Sequence, residues 1–190
     1  MRQVIMPLAN DVNDEWTAVG LNFQARADTA VMLGRYFQAE GDEVYFMQAA
    51  GTLAAQQSHP TLGALGAAYI DAQWPDAPLL VNISDKYVWG TYPELRWAIA
   101  RINDEFGDTP VRLLVVTQPR HIFRVRCMLR FLTTPPSVTI EVVPSWQTKE
   151  LSWIGEWGSL LIFYAGRAGF ERPLRWLRRR IKLPRDRGTS

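Results

Sequence analysis

The chain has 190 residues, 47% hydrophobic and 21% charged, with a formal net charge of +2, which suits one domain with a sizeable core and excludes wholesale disorder. Its single cysteine, Cys127, excludes an internal disulfide and a cysteine-built zinc site, and only two histidines, His59 and His121, are present, so no metal site is expected. The charge is uneven: from Arg167 to Ser190 nine Arg or Lys stand against two acids, and the first 166 residues are net negative.

The N-terminus, Met1 to Asn10, turns polar too soon for a signal peptide. No apolar run approaches the ~20 residues needed to span a bilayer. The expected location is therefore the cytoplasm.

Short β-branched runs alternate with longer helical ones along the chain. Val4 to Leu8 reads as a first strand. Leu21 to Ala39 reads as a helix with Ala30, Leu33 and Phe37 on one face and Gly41 as its stop. Glu43 to Gln48 is a second strand. A helix from about Thr61 to Gln73 follows, then Pro75 and Pro78, then a third strand from Leu79 to Ile83. Thr91 to Phe106 carries Leu95, Ala98, Ile99, Ile102 and Phe106 at helical spacing, and Gly107 closes it. Val111 to Val116 is nearly all apolar, as a parallel strand covered on both faces must be. His121 to Leu132 reads as a helix with Val125, Met128, Leu129 and Leu132 inward, and Cys127 on it as a plain core thiol. Val138 to Val143 is a fifth strand. Helices are expected over 149–164 and 171–182. This repetition predicts an α/β fold: a mainly parallel sheet of five strands with helices on both faces and a C-terminal helical extension. Residues 1–166 would form the α/β domain and 167–190 a basic helix and tail.

In such a sheet, ligands sit just past the carboxyl ends of the strands. The stretch Leu113 to Arg124 runs from strand through turn into helix there, and it carries Thr117, Arg120, His121 and Arg124. A hydroxyl, guanidiniums and an imidazole beside a helix N-terminus suit an anion. The plainer alternative is a turn-capping Thr117 with solvated cations.

Asp85 to Glu94 leads from the third strand into a helix. Asp85 can bind a hydroxyl, a cation or water. Thr91 and Glu94 have capping-box spacing, and Pro93 suits a first helical turn. Gln48-Ala-Ala-Gly51 follows the second strand, where small residues let a ligand approach the backbone, although no GxGxxG or Walker loop is present. No Ser-His-Asp order, Cys-His pair or paired carboxylates stand out. In the tail, Phe170, Leu174, Leu177 and Ile181 share one helical stripe and Arg172, Arg175, Arg178 and Arg179 lie off it. Docking of that stripe on the domain is the favoured reading, and a membrane surface the other.

At the strand-four turn the chain resembles the YdcF-like family, which includes the SanA-like envelope proteins. The family has a strand ending in Val-Thr-Ser, a His three residues after the Ser, and an Arg three residues after the His. Val116, Thr117, His121 and Arg124 match, with Gln118 in place of the serine. Arg26, Ala30 and Leu33 are similar to the family's first-helix Arg, Ala and Leu. Asp85 and Thr91 are similar to an acid and a threonine of its third-strand loop, whereas Val88, Gly90 and Pro93 depart from it. Of the family's Ser-Gly-Gly after strand two only Gly51 is similar, and Leu8-Ala-Asn10 stands where Gly-Gly is usual. The resemblance covers residues 1–165. It implies a Rossmann-like three-layer sandwich with a polar pocket at the strand ends, a nucleotide-like ligand and an envelope-related role.

Together these readings give a binder of a small anionic or nucleotide-like molecule. Thr117, His121 and Arg124 would hold the anion, with Arg26, Asp85, Thr91 and Gly51 completing the pocket. Catalysis, the cofactor and the oligomeric state stay open. The alternative is a non-catalytic adaptor that meets a membrane or an acidic partner through its basic tail, with nucleic acid the less expected partner.

Overall fold

The computed structural model describes residues 1–8, 17–48, 60–75, 77–81, 90–146 and 153–168. Its elements are β1 (Arg2–Pro7), α1 (Leu21–Ala39), β2 (Glu43–Gln48), α2 (Leu62–Gln73), β3 (Leu79–Val81), α3 (Thr91–Phe106), β4 (Val111–Thr117), α4 (His121–Leu129), β5 (Val138–Pro144) and α5 (Trp153–Arg167). The fold is α/β. The strands lie in the order β3-β2-β1-β4-β5, and every neighbouring pair is parallel. The chain forms two compact units, Met1–Glu150 and Leu151–Ser190. The division thus falls ahead of α5, whereas the charge step falls at its end.

Parallel strands need covering on both faces, and the pattern of side chains shows how this sheet is covered. Ile5, Val44, Phe46, Leu114 and Val116 point to one face, where they pack with Phe23, Ala27, Ala30 and Val31 of α1 and Ile70 of α2. On the opposite face Tyr45 meets Phe106 of α3, with ring centroids 5.1 Å apart. Leu95, Ala98, Ile99 and Ile102 of α3 are all buried, as their spacing predicts. β5 alternates buried and exposed residues along its length, the pattern of a strand with one covered face.

α1 packs tightly on the sheet at Gly34. A Cβ built there would lie 2.6 Å from the Phe46 ring and 3.0 Å from Trp74. Gly41, at φ +86°, takes the left-handed conformation just past the helix end. Thr61 caps α2, its hydroxyl accepting from the Ala64 N–H at 3.0 Å.

Two local expectations change. The capping box at Thr91 and Glu94 does not form, because Gly90, at φ +92°, is the N-cap and Thr91 is already inside the helix. The Glu94 N–H bonds the Gly90 carbonyl instead. α4 stops at Leu129 and not at Leu132, because the N–H groups of Phe131 and Leu132 bond the carbonyls of Met128 and Leu129, three residues back. That tighter winding ends the α-helical ladder. Cys127 is buried and free, as a core thiol. The expected strand residues 82–83, helix residues 149–152 and tail helix 171–182 lie outside the described residues.

Candidate functional site

β1 feeds β2 and β3 on one side of the sheet, and β4 and β5 lie on its other side. The strand order therefore reverses between β1 and β4, the place where α/β sheets open a crevice at the carboxyl ends. The Leu8 N–H bonds the Val116 carbonyl at 3.0 Å, and the Ser145 N–H bonds the Thr117 carbonyl at 2.7 Å. The ladder thus runs out level across the ends of β1, β4 and β5.

Arg26 comes to this point from α1. It is only 2% exposed, and its Nη1 donates to the Leu8 carbonyl at 2.7 Å. His121, the first residue of α4, is buried beside it. Burial, then the charge of Arg124, then that of Arg26 push its pKa down from 6.5 to about 3. Arg124 Nη2 lies 2.5 Å from His121 Nδ1. A guanidinium can only donate, so Nδ1 accepts and the ring proton sits on Nε2. His121 is thus a neutral imidazole at physiological pH.

Thr117 is fully buried at the end of β4. Among the described residues its Oγ1 has no hydrogen-bond partner, and neither does the Oγ of buried Ser145 beyond β5 or the side-chain amide of buried Gln48 at the end of β2. Thr117 and Gln48 end their strands and Ser145 directly follows one, and the Gln48 amide oxygen lies against α2 at Gly66. Gln118 Nε2 donates to Asn22 Oδ1 at 2.7 Å and so ties the start of α4 to the first turn of α1. Neither helix has a side-chain cap or an acid in its first turn. The N-termini of α1 and α4 thus both lie at the carboxyl-end rim of the sheet.

The structure therefore brings Arg26 of α1 to His121 and Arg124, which are neighbours on α4, and Thr117 ends the strand that leads into α4. Thr91 opens α3, and among the described residues no hydrogen bond or ion pair joins it to them. Asp85 and Gly51 lie outside the described residues. Asn22 and Ser145 were missed by sequence reasoning. Asn22 stands one helical turn before Arg26, and Ser145 directly follows a strand, so helical spacing and the strand-end rule were the signals for them. Among the described residues no three His, Cys, Asp or Glu side chains gather to hold a metal.

No family model, curated protein or solved structure matches the chain.

The state of His121 sets a pH dependence. Its folded pKa, about 3, lies below the ordinary value of 6.5. Below pH 6.5 the unfolded chain therefore takes up a proton that the folded chain refuses. The stabilisation from neutral His121 is complete above that pH and is lost as pH falls toward the folded pKa. Its loss runs at about 1.4 kcal/mol per pH unit. Urea unfolding from pH 7 to pH 4 should show this fall, and His121→Gln should flatten it. A His121→Gln variant with the wild-type slope would place the titration on other groups.

Proposed function

We propose that the protein binds a small anionic or nucleotide-like ligand at the carboxyl ends of β1 and β4, in the cytoplasm, as a divergent YdcF-like protein of Rossmann-like three-layer build. The observation that carries this reading is the convergence of buried Arg26 with Arg124 and neutral His121 at the strand-order reversal. Two fixed guanidiniums and two helix N-termini supply positive potential, and Thr117 Oγ1 and His121 supply directional hydrogen bonds. In this reading Asp85, Thr91 and Gly51 complete the site from the neighbouring strand ends. An envelope-related role belongs to the same reading, through the family.

The neutral state of His121 suits a hydrogen-bond donor better than a proton-shuttling acid. Binding is therefore the primary activity proposed, and a reaction would have to bring its own acid or base. A thermal-shift screen against phosphate, nucleotides, adenosyl compounds and sugar phosphates tests the proposal. A ligand present at a hundred times its Kd adds about 2.7 kcal/mol to stability, which raises Tm by roughly 5–11 °C in a chain of this size. If every anionic compound leaves Tm unmoved, the proposal fails.

A further inference from the structure

In the C-terminal unit, α5 exposes a row of large apolar and aromatic side chains. Glu156 and Leu160 are buried, whereas Trp157, Leu161 and Tyr164 are 61%, 71% and 42% exposed. The three exposed residues are spaced four and then three apart, so they form one row on one helix face. A Cβ added at neighbouring Gly158 would meet nothing within 4 Å. Arg167 and Ala168, at the end of this row, are exposed as well. A tryptophan, a leucine and a tyrosine in one solvent-facing row are the residue types that settle at the water–lipid boundary. No helix among the described residues is long and apolar enough to cross a membrane, so such a helix would lie on the surface.

What covers this face is indicated by the charge beside it. From Arg167 onward the sequence holds nine Arg or Lys and two acids. A second copy of the chain would bring a second set of these cations against the first. An anionic surface would neutralise them. Runs of basic residues next to an amphipathic helix are the pattern that anionic headgroups attract.

We propose that α5 seats Trp157, Leu161 and Tyr164 in the interfacial layer of an anionic phospholipid bilayer, with the basic segment Arg167–Ser190 held by its headgroups. The proposal stands apart from the strand-end ligand, since it uses a different unit of the chain. It also shifts the apolar contact from the tail stripe of Phe170, Leu174, Leu177 and Ile181 to α5.

Sedimentation of the full chain with vesicles tests it. Vesicles of phosphatidylcholine with about 30% phosphatidylserine should bind at least about tenfold more tightly than phosphatidylcholine alone. Trp157→Glu with Leu161→Glu should weaken that binding by about tenfold or more while the unfolding transition stays cooperative. Leu161→Ser alone serves as the readout if the double variant does not fold. Arg178→Glu, Arg179→Glu and Arg180→Glu together should weaken binding to the anionic vesicles and leave the weak binding to neutral ones unchanged. Failure of the full chain to sediment with anionic vesicles overturns the proposal, as does wild-type binding by the α5 variants. Equal binding to neutral and anionic vesicles overturns the part assigned to the basic segment. A dimer that the α5 variants split, with no lipid binding, would reassign the face to a second copy.

Discussion

Replacing Phe46 with alanine should cost about 3–5 kcal/mol of folding stability and lower Tm on the order of 10 °C. Phe46 is fully buried in β2. Its ring stands edge-on to Trp74, with centroids 5.6 Å apart, and lies against the backbone of α1 at Gly34. Truncation removes an aromatic contact and leaves a cavity between sheet and helix, which the close approach at Gly34 shows to be tightly filled. The same contact predicts an interaction between two substitutions. Gly34→Ala gains about 1 kcal/mol of helix propensity. Against this, its Cβ would lie 2.6 Å from the Phe46 ring, and overpacking of this kind costs about 1–3 kcal/mol. Alone it should be neutral to destabilising. With Phe46→Leu the obstructing ring atoms are gone, so the propensity gain should show. A double-mutant cycle by urea unfolding should give a favourable coupling of about 1–2 kcal/mol. Additive effects would mean that α1 shifts away from the sheet at little cost.

Replacing Arg26 with methionine should abolish protection by inorganic phosphate while leaving the protein folded. The guanidinium is buried and bonded to the Leu8 carbonyl. Removing it deletes a charge-assisted hydrogen bond and also removes a desolvated cation. These effects oppose each other, so net stability should stay within about 2 kcal/mol of wild type. A bound anion has no such compensation. Losing one buried cationic partner costs about 2–5 kcal/mol, a fall of about thirtyfold or more in affinity. The phosphate-dependent rise in Tm should vanish in Arg26→Met and recover only partly in Arg26→Lys, because an ammonium cannot donate in two directions from a rigid plane. Arg124→Met tests the other side of the site. It removes a charge that holds His121 low, so the His121 pKa should rise toward its ordinary value, as followed by NMR titration of the imidazole. If Arg26→Met retains full phosphate protection, the anion binds elsewhere.

Much of the local structure was decided by the sequence. The helical period of Ala30, Leu33 and Phe37 and of Leu95, Ala98, Ile99 and Ile102 was enough to place α1 and α3 at their observed limits. Turn residues and apolar runs located β2 and β4 nearly to the residue. These signals are legible because hydrogen-bonding periods and side-chain burial act over a few neighbours. Thr117, His121 and Arg124 could be grouped for the same reason, since they lie within one strand–turn–helix.

The tertiary structure decided what depends on distant neighbours. Whether Thr91 caps a helix or enters it depended on the conformation of Gly90, which no pattern of side chains specifies. That His121 is buried, and that Arg26 joins Arg124 beside it, so that burial first and these charges next hold the histidine neutral, follows only when β1 and β4 pair and bring their helices to one rim. The outward turn of Trp157 and Leu161 is likewise a matter of which face of α5 is covered. Burial, desolvation and charge proximity are sums over neighbours in space, and a linear sequence does not carry those neighbours.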